Sequence, residues 1–369
     1  LLVTGLAGCG SDIDGTETAT RTGTSVETET ATATQTEDPN LLDIRDFGAE
    51  VDGKTDDTEA VREALDAAER GQTVFFPEGT TLVSGLGGTG LLSSIQLTDE
   101  HSGITLSGVG PGPVIKQTGG HEKNNPVLYV KGDADPKDIT IRDLRIDGNR
   151  ENNADRTTLG FLAWPPGDTE DILVENVWVE NCSATAFQAS TGGVHINHCT
   201  ARYNTMHGFN PDTSNPRSPI RVTNVLSHHN DNYGIDDSSG NSYIDGFVVH
   251  NCTYGVKNTR DTKKTVIKNG IIRNCETNGY TTNIPNDNWP SHRPNITIDN
   301  VLSEGHGNWA FRFSENADYD IGTITARDSN KNGSQPAQIA ILDDSLVDAT
   351  DIRSYQAASG AGLYHDSNR

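Results

Sequence analysis

Basic residues are scarce. The 369-residue chain carries 28 Lys and Arg against 52 Asp and Glu, a formal net charge of −24. That excess excludes a nucleic-acid backbone or an anionic membrane surface as partner, because either would have to approach against the protein's own field. It suits a surface kept soluble at high ionic strength, where the Debye length shrinks to about 3 Å, and salt adaptation is the expectation. Cysteine is sparse too. Apart from Cys9 there are only Cys182, Cys199, Cys252 and Cys275, with no CxxC pair and no zinc-ligand spacing among them. Cys252 and Cys275 fall at nearly the same place in successive repeats, and two readings stand: a disulfide, or a buried column of thiols. No apolar run is long enough to span a bilayer, so membrane-spanning helices are excluded.

The chain begins at Leu1 without an initiator methionine and stops just after Leu363-Tyr364-His365, inside a recurring pattern. Residues are therefore expected beyond both ends, a C-terminal cap among them. Leu6-Ala7-Gly8-Cys9, followed by Gly10-Ser11-Asp12, resembles the lipobox of prokaryotic lipoproteins. The resemblance implies a signal segment over residues 1–9 and lipidation at Cys9. It also implies a secreted protein held at the cell surface, with that lipid as its one link to a membrane. Over residues 10–41, threonine recurs at nearly every second position among Glu and Ala, with almost nothing apolar to bury. A disordered tether is expected there.

From Asp138 onward one unit returns every 21 to 33 residues or so. It reads Ile139-Thr-Ile-Arg-Asp143-Leu, Ile172-Leu-Val-Glu-Asn176-Val, Val194-His-Ile-Asn-His198-Cys, Ile220-Arg-Val-Thr-Asn224-Val and Ile296-Thr-Ile-Asp-Asn300-Val, with weaker copies at Asp245 and Asn269. Each is a short alternating strand, a polar residue, and a second alternating strand. One such coil cannot bury its apolar side, but stacked coils about 4.8 Å apart can. The repeat thus predicts an all-β solenoid, a right-handed parallel β-helix over residues 42–369. Asp143, Asn176, His198, Asn224, Asp245, Asn269 and Asn300 should then form a hydrogen-bonded ladder at a bend, with a structural job. Such a solenoid stands alone or packs three-fold, and both states suit the sequence.

A second signal follows in each coil: Gly160-Phe161, Ala186-Phe187, Gly208-Phe209, Gly234-Ile235, Gly255-Val256, Gly279-Tyr280, Ala310-Phe311 and Gly362-Leu363. A small residue lets the chain turn and the large one enters the core. If these pairs stack, the residues around them share one outward face. The middle coils then gather His207, Asn210, Asp212, Tyr233, Asp236, Tyr254 and Lys257 within a few rungs, with Trp309 and Arg312 toward one end. An elongated flank with aromatic platforms and both signs of charge fits a linear sugar polymer.

Asp46-Phe47-Gly48-Ala49-Glu50-Val51-Asp52-Gly53-Lys54-Thr55-Asp56-Asp57-Thr58, with Phe75-Phe76-Pro77-Glu78-Gly79, resembles the front of pectate-lyase-superfamily proteins of the rhamnogalacturonase and epimerase-like branch. Between these segments Asp56 and Glu59 suit the start of a helix whose Val61, Ala64, Leu65 and Ala68 share a side, ending before Gly71. That helix should cap the open end of the solenoid. Asp52, Asp56 and Asp57 are better explained as turn and cap than as catalysts.

His207-Gly208-Phe209-Asn210-Pro211-Asp212-Thr213 is similar to the Tyr-Gly-Phe-Asp-Pro-His-Glu segment of mannuronan C-5 epimerases. In that family the Tyr and His work as acid and base. Here His207, Asn210 and Asp212 replace the Tyr, Asp and His, so the resemblance speaks for the scaffold and not for the activity. The leading expectation is proton abstraction from C5 of a uronate, giving β-elimination or epimerisation. His207 would be the base, Tyr233 or Tyr254 the acid, and Lys257 or Arg312 the cation on the sugar carboxylate. No cofactor is required, although a Ca²⁺ among Asp212 and Asp236 could share the neutralising role. A second reading is inverting hydrolysis. Asn210-Pro-Asp212 and Asp236-Asp237 resemble polygalacturonase motifs, and one rung plus a two-residue step puts Asp212 and Asp236 roughly 8 Å apart. Asn210, Asp237, Tyr254, Trp309 and Arg312 would bind the substrate. A third reading is a surface protein that holds glycan without altering it.

Overall fold

A computed structural model describes residues 38–85, 93–131, 135–164, 169–213, 218–259, 264–283, 295–314, 317–342, 346–355 and 361–365. Cys9 and nearly all of the threonine-rich stretch lie outside them. Pro39–Arg369 forms one compact unit. Its described strands make a parallel solenoid of two sheets, one of 16 strands and one of 11.

The longer strands carry the repeat, and a left-handed residue marks the bend of each coil from the strand Thr140–Asp147 to the strand Asn295–Glu304. Asp143, Asn176, His198, Asn224, Asn269 and Asn300 all have φ between +50° and +56°. A single residue in that region bends a strand, and short polar side chains tolerate it best. Asn176 donates to Asp143, Asn269 to Asp245 and Asn300 to Asn269, at 2.7–2.8 Å. The expected place of Asp245 in this column is wrong by one residue. Thr223 pairs with Asp245 and Val225 with Phe247, so Gly246, at φ +67°, stands at the bend. A second column of left-handed residues, Asn181, Tyr203, His229, Asn251 and Asn274, makes a further corner that the repeat alone did not reveal.

The small-apolar pairs stack as expected. Phe161, Phe187, Phe209, Ile235, Val256, Tyr280 and Phe311 are successive partners in the shorter sheet, and all are buried. Ile339 continues the column between Phe311 and Leu363. The Phe187 and Phe209 rings stack with centroids 4.9 Å apart, and burying each such ring contributes about 1.5–3 kcal/mol. The small residue has a reason other than the expected turn. Ser227 Oγ donates across the interior to the Gly234 carbonyl and Ser303 Oγ to the Ala310 carbonyl, each at 2.8 Å. A Cβ on Gly208 would meet Ser227 Oγ inside contact distance and the Gly234 carbonyl at 2.6 Å. Close approach, and not backbone freedom, fixes the small residue.

At the front, the helix Thr58–Ala67 buries Val61, Ala64 and Leu65 in the solenoid's core. Asp56 accepts from the Thr58 amide at 3.0 Å from one residue ahead of the N-cap position, which Asp57 holds without a side-chain cap bond. Asp57 instead holds the preceding loop, accepting from the Glu50 and Val51 amides. Asp52 closes a turn by accepting from Lys54 and Thr55. Cys182, Cys199, Cys252 and Cys275 are all free, buried thiols. Of the two readings for Cys252 and Cys275, the thiol column is therefore the one found. Burial pushes Cys252 up to about 11, so it stays protonated and inert.

Candidate active site

The outward face of the shorter sheet brings five expected residues to three adjacent coils. Strand alternation in Tyr233–Asp237 turns Ile235 and Asp237 inward and leaves Asp236 outside. Lys257, the Cα partner of Asp236 on the next coil, holds Nζ 3.7 Å from Oδ1. From the preceding coil His207 brings Nε2 to 3.5 Å from Oδ2 of the same carboxylate. The Lys257 ammonium also lies 4.7 Å above the Tyr233 ring centroid, within cation–π range. Tyr233 in turn stacks on Tyr254 at 4.6 Å and stands 5.7 Å from the His207 ring. One carboxylate thus separates an imidazole from an ammonium, beside two stacked phenols.

The environment sets their protonation. His207 is only 8% exposed and Asp236 7%. Burial lowers the His207 value, Asp236 opposes this, and Lys257 and Arg156 add to it, so the imidazole is neutral at neutral pH. Its Nδ1 is buried with no hydrogen-bond partner, which fits a tautomer that directs Nε2–H at Asp236 and leaves the Nδ1 lone pair unused. Burial first, then Asp236 and Tyr254, pushes Tyr233 up to about 12. A neutral imidazole and a protonated phenol are the forms that a base and an acid need.

Other expected site residues sit differently. Asp237 points into the core and is fully buried, accepting from Ser242 Oγ at 2.7 Å, Asn258 Nδ2 at 2.6 Å and Thr265 Oγ1 at 3.2 Å. It cannot touch a sugar. Trp309 is 8% exposed and packs with Ala337 and Ala340, so it offers no platform. Asn210 is nearly buried and donates to the Asp236 carbonyl at 2.7 Å, tying two rungs together. Asp212 lies one coil before Asp236 and two residues further along, level with Ser238, whose amide bonds to Pro211. Arg312 stands two rungs from Lys257, with Thr281 between them, and donates to the Thr282 carbonyl at 3.4 Å. The Ca²⁺ expected among Asp212 and Asp236 does not fit. The Asp236 oxygens face Lys257, His207 and Ser238 Oγ, and the ammonium already supplies the positive charge.

Two residues on this face escaped the sequence reading. The amides of Lys131, Trp164, Ser190, Asp212 and Ser238 bond to successive coils at the same position. Lys131 and Trp164 therefore extend the Asp212 column toward the N-terminus. Trp164 is 55% exposed, whereas Trp309 is covered. The available signal was its place two residues after Leu162, in the coil of the Gly160-Phe161 pair.

The fold defines the class: a parallel β-helix of the pectate-lyase kind, with a cluster of titratable side chains on its shorter sheet. The chain belongs to the rhamnogalacturonase A/epimerase, pectate lyase-like family, whose pattern matches residues 41–281. It is 32% identical over 202 residues to alginate lyase 7 of Azotobacter vinelandii, covering 52% of this chain and 23% of that protein. It is 30% identical over 178 residues to mannuronan C5-epimerase AlgE4 of the same organism, covering 46% and 32%. The chain thus spans less than a third of the length of these curated relatives. Among solved structures, the A-module of mannuronan C-5 epimerase AlgE6 from Azotobacter vinelandii aligns over 88% of this chain and 96% of its own. The TM-score there is 0.68 at 19% identity. The Streptococcus pneumoniae surface protein and adhesin PfbA aligns over 88% and 100%, with a TM-score of 0.59 at 15% identity. Both are likenesses of fold.

Proposed function

We propose that the chain acts on a uronate-containing polysaccharide by removing the proton at C5, ending in β-elimination or epimerisation. The observation that carries this is Asp236 held between His207 and Lys257 beside Tyr233. His207 accepts the C5 proton, and Asp236 stabilises the imidazolium that forms. The electron pair moves into the sugar carboxylate, where the Lys257 ammonium, shared with Asp236, offsets the growing charge. In elimination the C4–O bond breaks and Tyr233 protonates the leaving oxygen. In epimerisation Tyr233 returns a proton to the opposite face of C5. His207 and Asp236 lie below the surface, so the two must shift outward together when the sugar binds, with Nε2–H kept on Asp236 and the unused Nδ1 lone pair taking the C5 proton; the present geometry is a resting one.

The relatives named an alginate lyase and a mannuronan C5-epimerase support this substrate class. So does a detail of spacing. The Tyr-Gly-apolar-Asp order of the epimerase segment, broken at His207–Asn210, recurs one coil later at Tyr233-Gly234-Ile235-Asp236. The buried position of Asp237 removes one carboxylate from the hydrolytic reading. Placement outside the cell, with a lipid on Cys9, is part of the proposal and rests on Leu6-Ala7-Gly8-Cys9.

Incubation with polymannuronate, polyguluronate and pectate tests it. An unsaturated, ultraviolet-absorbing product or a changed epimer ratio is expected from at least one polymer. Reducing ends released without unsaturation would mean hydrolysis, and binding without turnover would mean a glycan-holding module; either outcome overturns the proposal.

A further inference from the structure

Away from this face, at the corner where the longer strands end, three histidines crowd together. His228 ends the strand Ile220–His228, His229 follows it in the left-handed conformation, and His250 ends the next strand as the Cα partner of His228. The His228 and His229 rings have centroids 5.1 Å apart, His228 and His250 5.0 Å, and His229 and His250 5.8 Å. Imidazoles bound to one tetrahedral ion at metal–nitrogen distances of about 2.0–2.1 Å have centroids about 5 Å apart. Nδ1 of His228 and Nδ1 of His229 are already 2.8 Å apart, against about 3.3 Å for two nitrogens on such an ion.

We infer that His228, His229 and His250 form a binding site for a divalent first-row transition ion of the copper, nickel and zinc group. Imidazole ligands select these ions over Ca²⁺ and Mg²⁺, which take oxygen donors. The neighbouring cations do not block it. Arg202 is paired with Glu180 and Arg273 with Glu304, both at 2.6 Å. Asn251 Nδ2 lies 3.2 Å from His229 Nε2, leaving the Nδ1 side of that ring for the ion. Among the described residues no three side chains already stand in coordinating geometry. His228 and His250 are stacked with their planes 3° apart, so the His250 ring must turn about its side-chain torsions for its nitrogen to join the pair. Two ligands are thus close to place and the third swings in.

Calorimetric titration of the full chain with CuSO4, ZnCl2 and CaCl2 tests the site. One Cu²⁺ and, more weakly, one Zn²⁺ should bind per chain, with Ca²⁺ absent from the corner. His250→Gln should weaken Zn²⁺ binding about tenfold, and the triple variant H228Q/H229Q/H250Q should abolish it, whereas His198→Gln should leave it unchanged. Electron paramagnetic resonance of the Cu²⁺-loaded wild-type chain gives a reading independent of any variant's folding, with coupling to at least two imidazole nitrogens expected. Unchanged Zn²⁺ affinity in a folded triple variant, or a Cu²⁺ spectrum without nitrogen coupling, overturns the inference.

Discussion

Asp236 and Lys257 are partners on adjacent coils, carboxylate oxygen and ammonium nitrogen 3.7 Å apart, and both side chains are largely covered. Removing one member of a covered pair leaves the other charge without compensation, whereas removing both does not. Lys257→Met should therefore destabilise the chain by about 1–3 kcal/mol, and adding Asp236→Asn should restore most of that loss. Urea unfolding of the two single variants and the double variant gives the coupling. Additive losses would mean that the pair is not a unit in solution.

His207→Gln and Tyr233→Phe keep size and fold while removing the proposed base and acid. Each should lower turnover on the responsive uronan by about 10²–10⁴-fold, the usual range for a proton-transferring group. Circular dichroism and thermal unfolding should stay near wild type. Wild-type turnover in Tyr233→Phe would remove the phenol from the reaction.

Burial raises the Asp237 carboxyl from an ordinary 3.8 to about 6. A carboxyl whose folded value is raised binds its proton more tightly in the fold. The chain is thus most stable on this account below pH 4 and loses the contribution as pH rises through about 6. The full difference is on the order of 3 kcal/mol. Asp237→Asn should flatten the stability profile between pH 4 and 6, read by denaturant midpoints across that window. An unchanged profile would place the slope on other groups.

Gly208→Ala would press a methyl against Ser227 Oγ and the Gly234 carbonyl. Overpacking of this kind costs about 1–3 kcal/mol. Ser227→Gly in the same chain should relieve part of it, since the hydroxyl is the nearest atom. A melting temperature unchanged by Gly208→Ala would contradict the close-approach account of the small residues.

Trp164, exposed two rungs before Asp212, should stack on a distal sugar. Trp164→Ala is expected to raise KM several-fold, about 1 kcal/mol of binding, with kcat kept and the effect absent on short oligomers. An equal KM on long and short substrates would detach Trp164 from the binding face.

What could be seen in the sequence follows from which contacts repeat. The inward column from Phe161 to Phe311 was legible because each coil must bury one large apolar residue at the same place, so register could be counted. That counting brought His207, Asp236 and Lys257 together before any coordinates did. It failed where the repeat gives no mark. Gln338 precedes Ile339 in place of a small residue, is fully buried and donates to Ser354 and the Tyr355 carbonyl, so that coil went unrecognised. Gly246 was passed over for the adjacent Asp245 because a bend can use either a polar side chain or no side chain. Asp237 was placed at the surface by its resemblance to a polygalacturonase motif, and Trp309 by its position before a small-apolar pair. Strand alternation turns Asp237 inward, where buried hydroxyls and an amide hold it, and alanines of the next coil cover Trp309.

The central claim, that C5 of a uronate loses its proton at this cluster, is tested most directly by proton NMR of a uronan incubated with the chain in deuterated water. Deuterium appearing at C5, or an unsaturated C4 proton appearing at new chain ends, is the predicted result, with either signal absent in His207→Gln. A polymer that binds the groove yet keeps every C5 proton after prolonged incubation would contradict it.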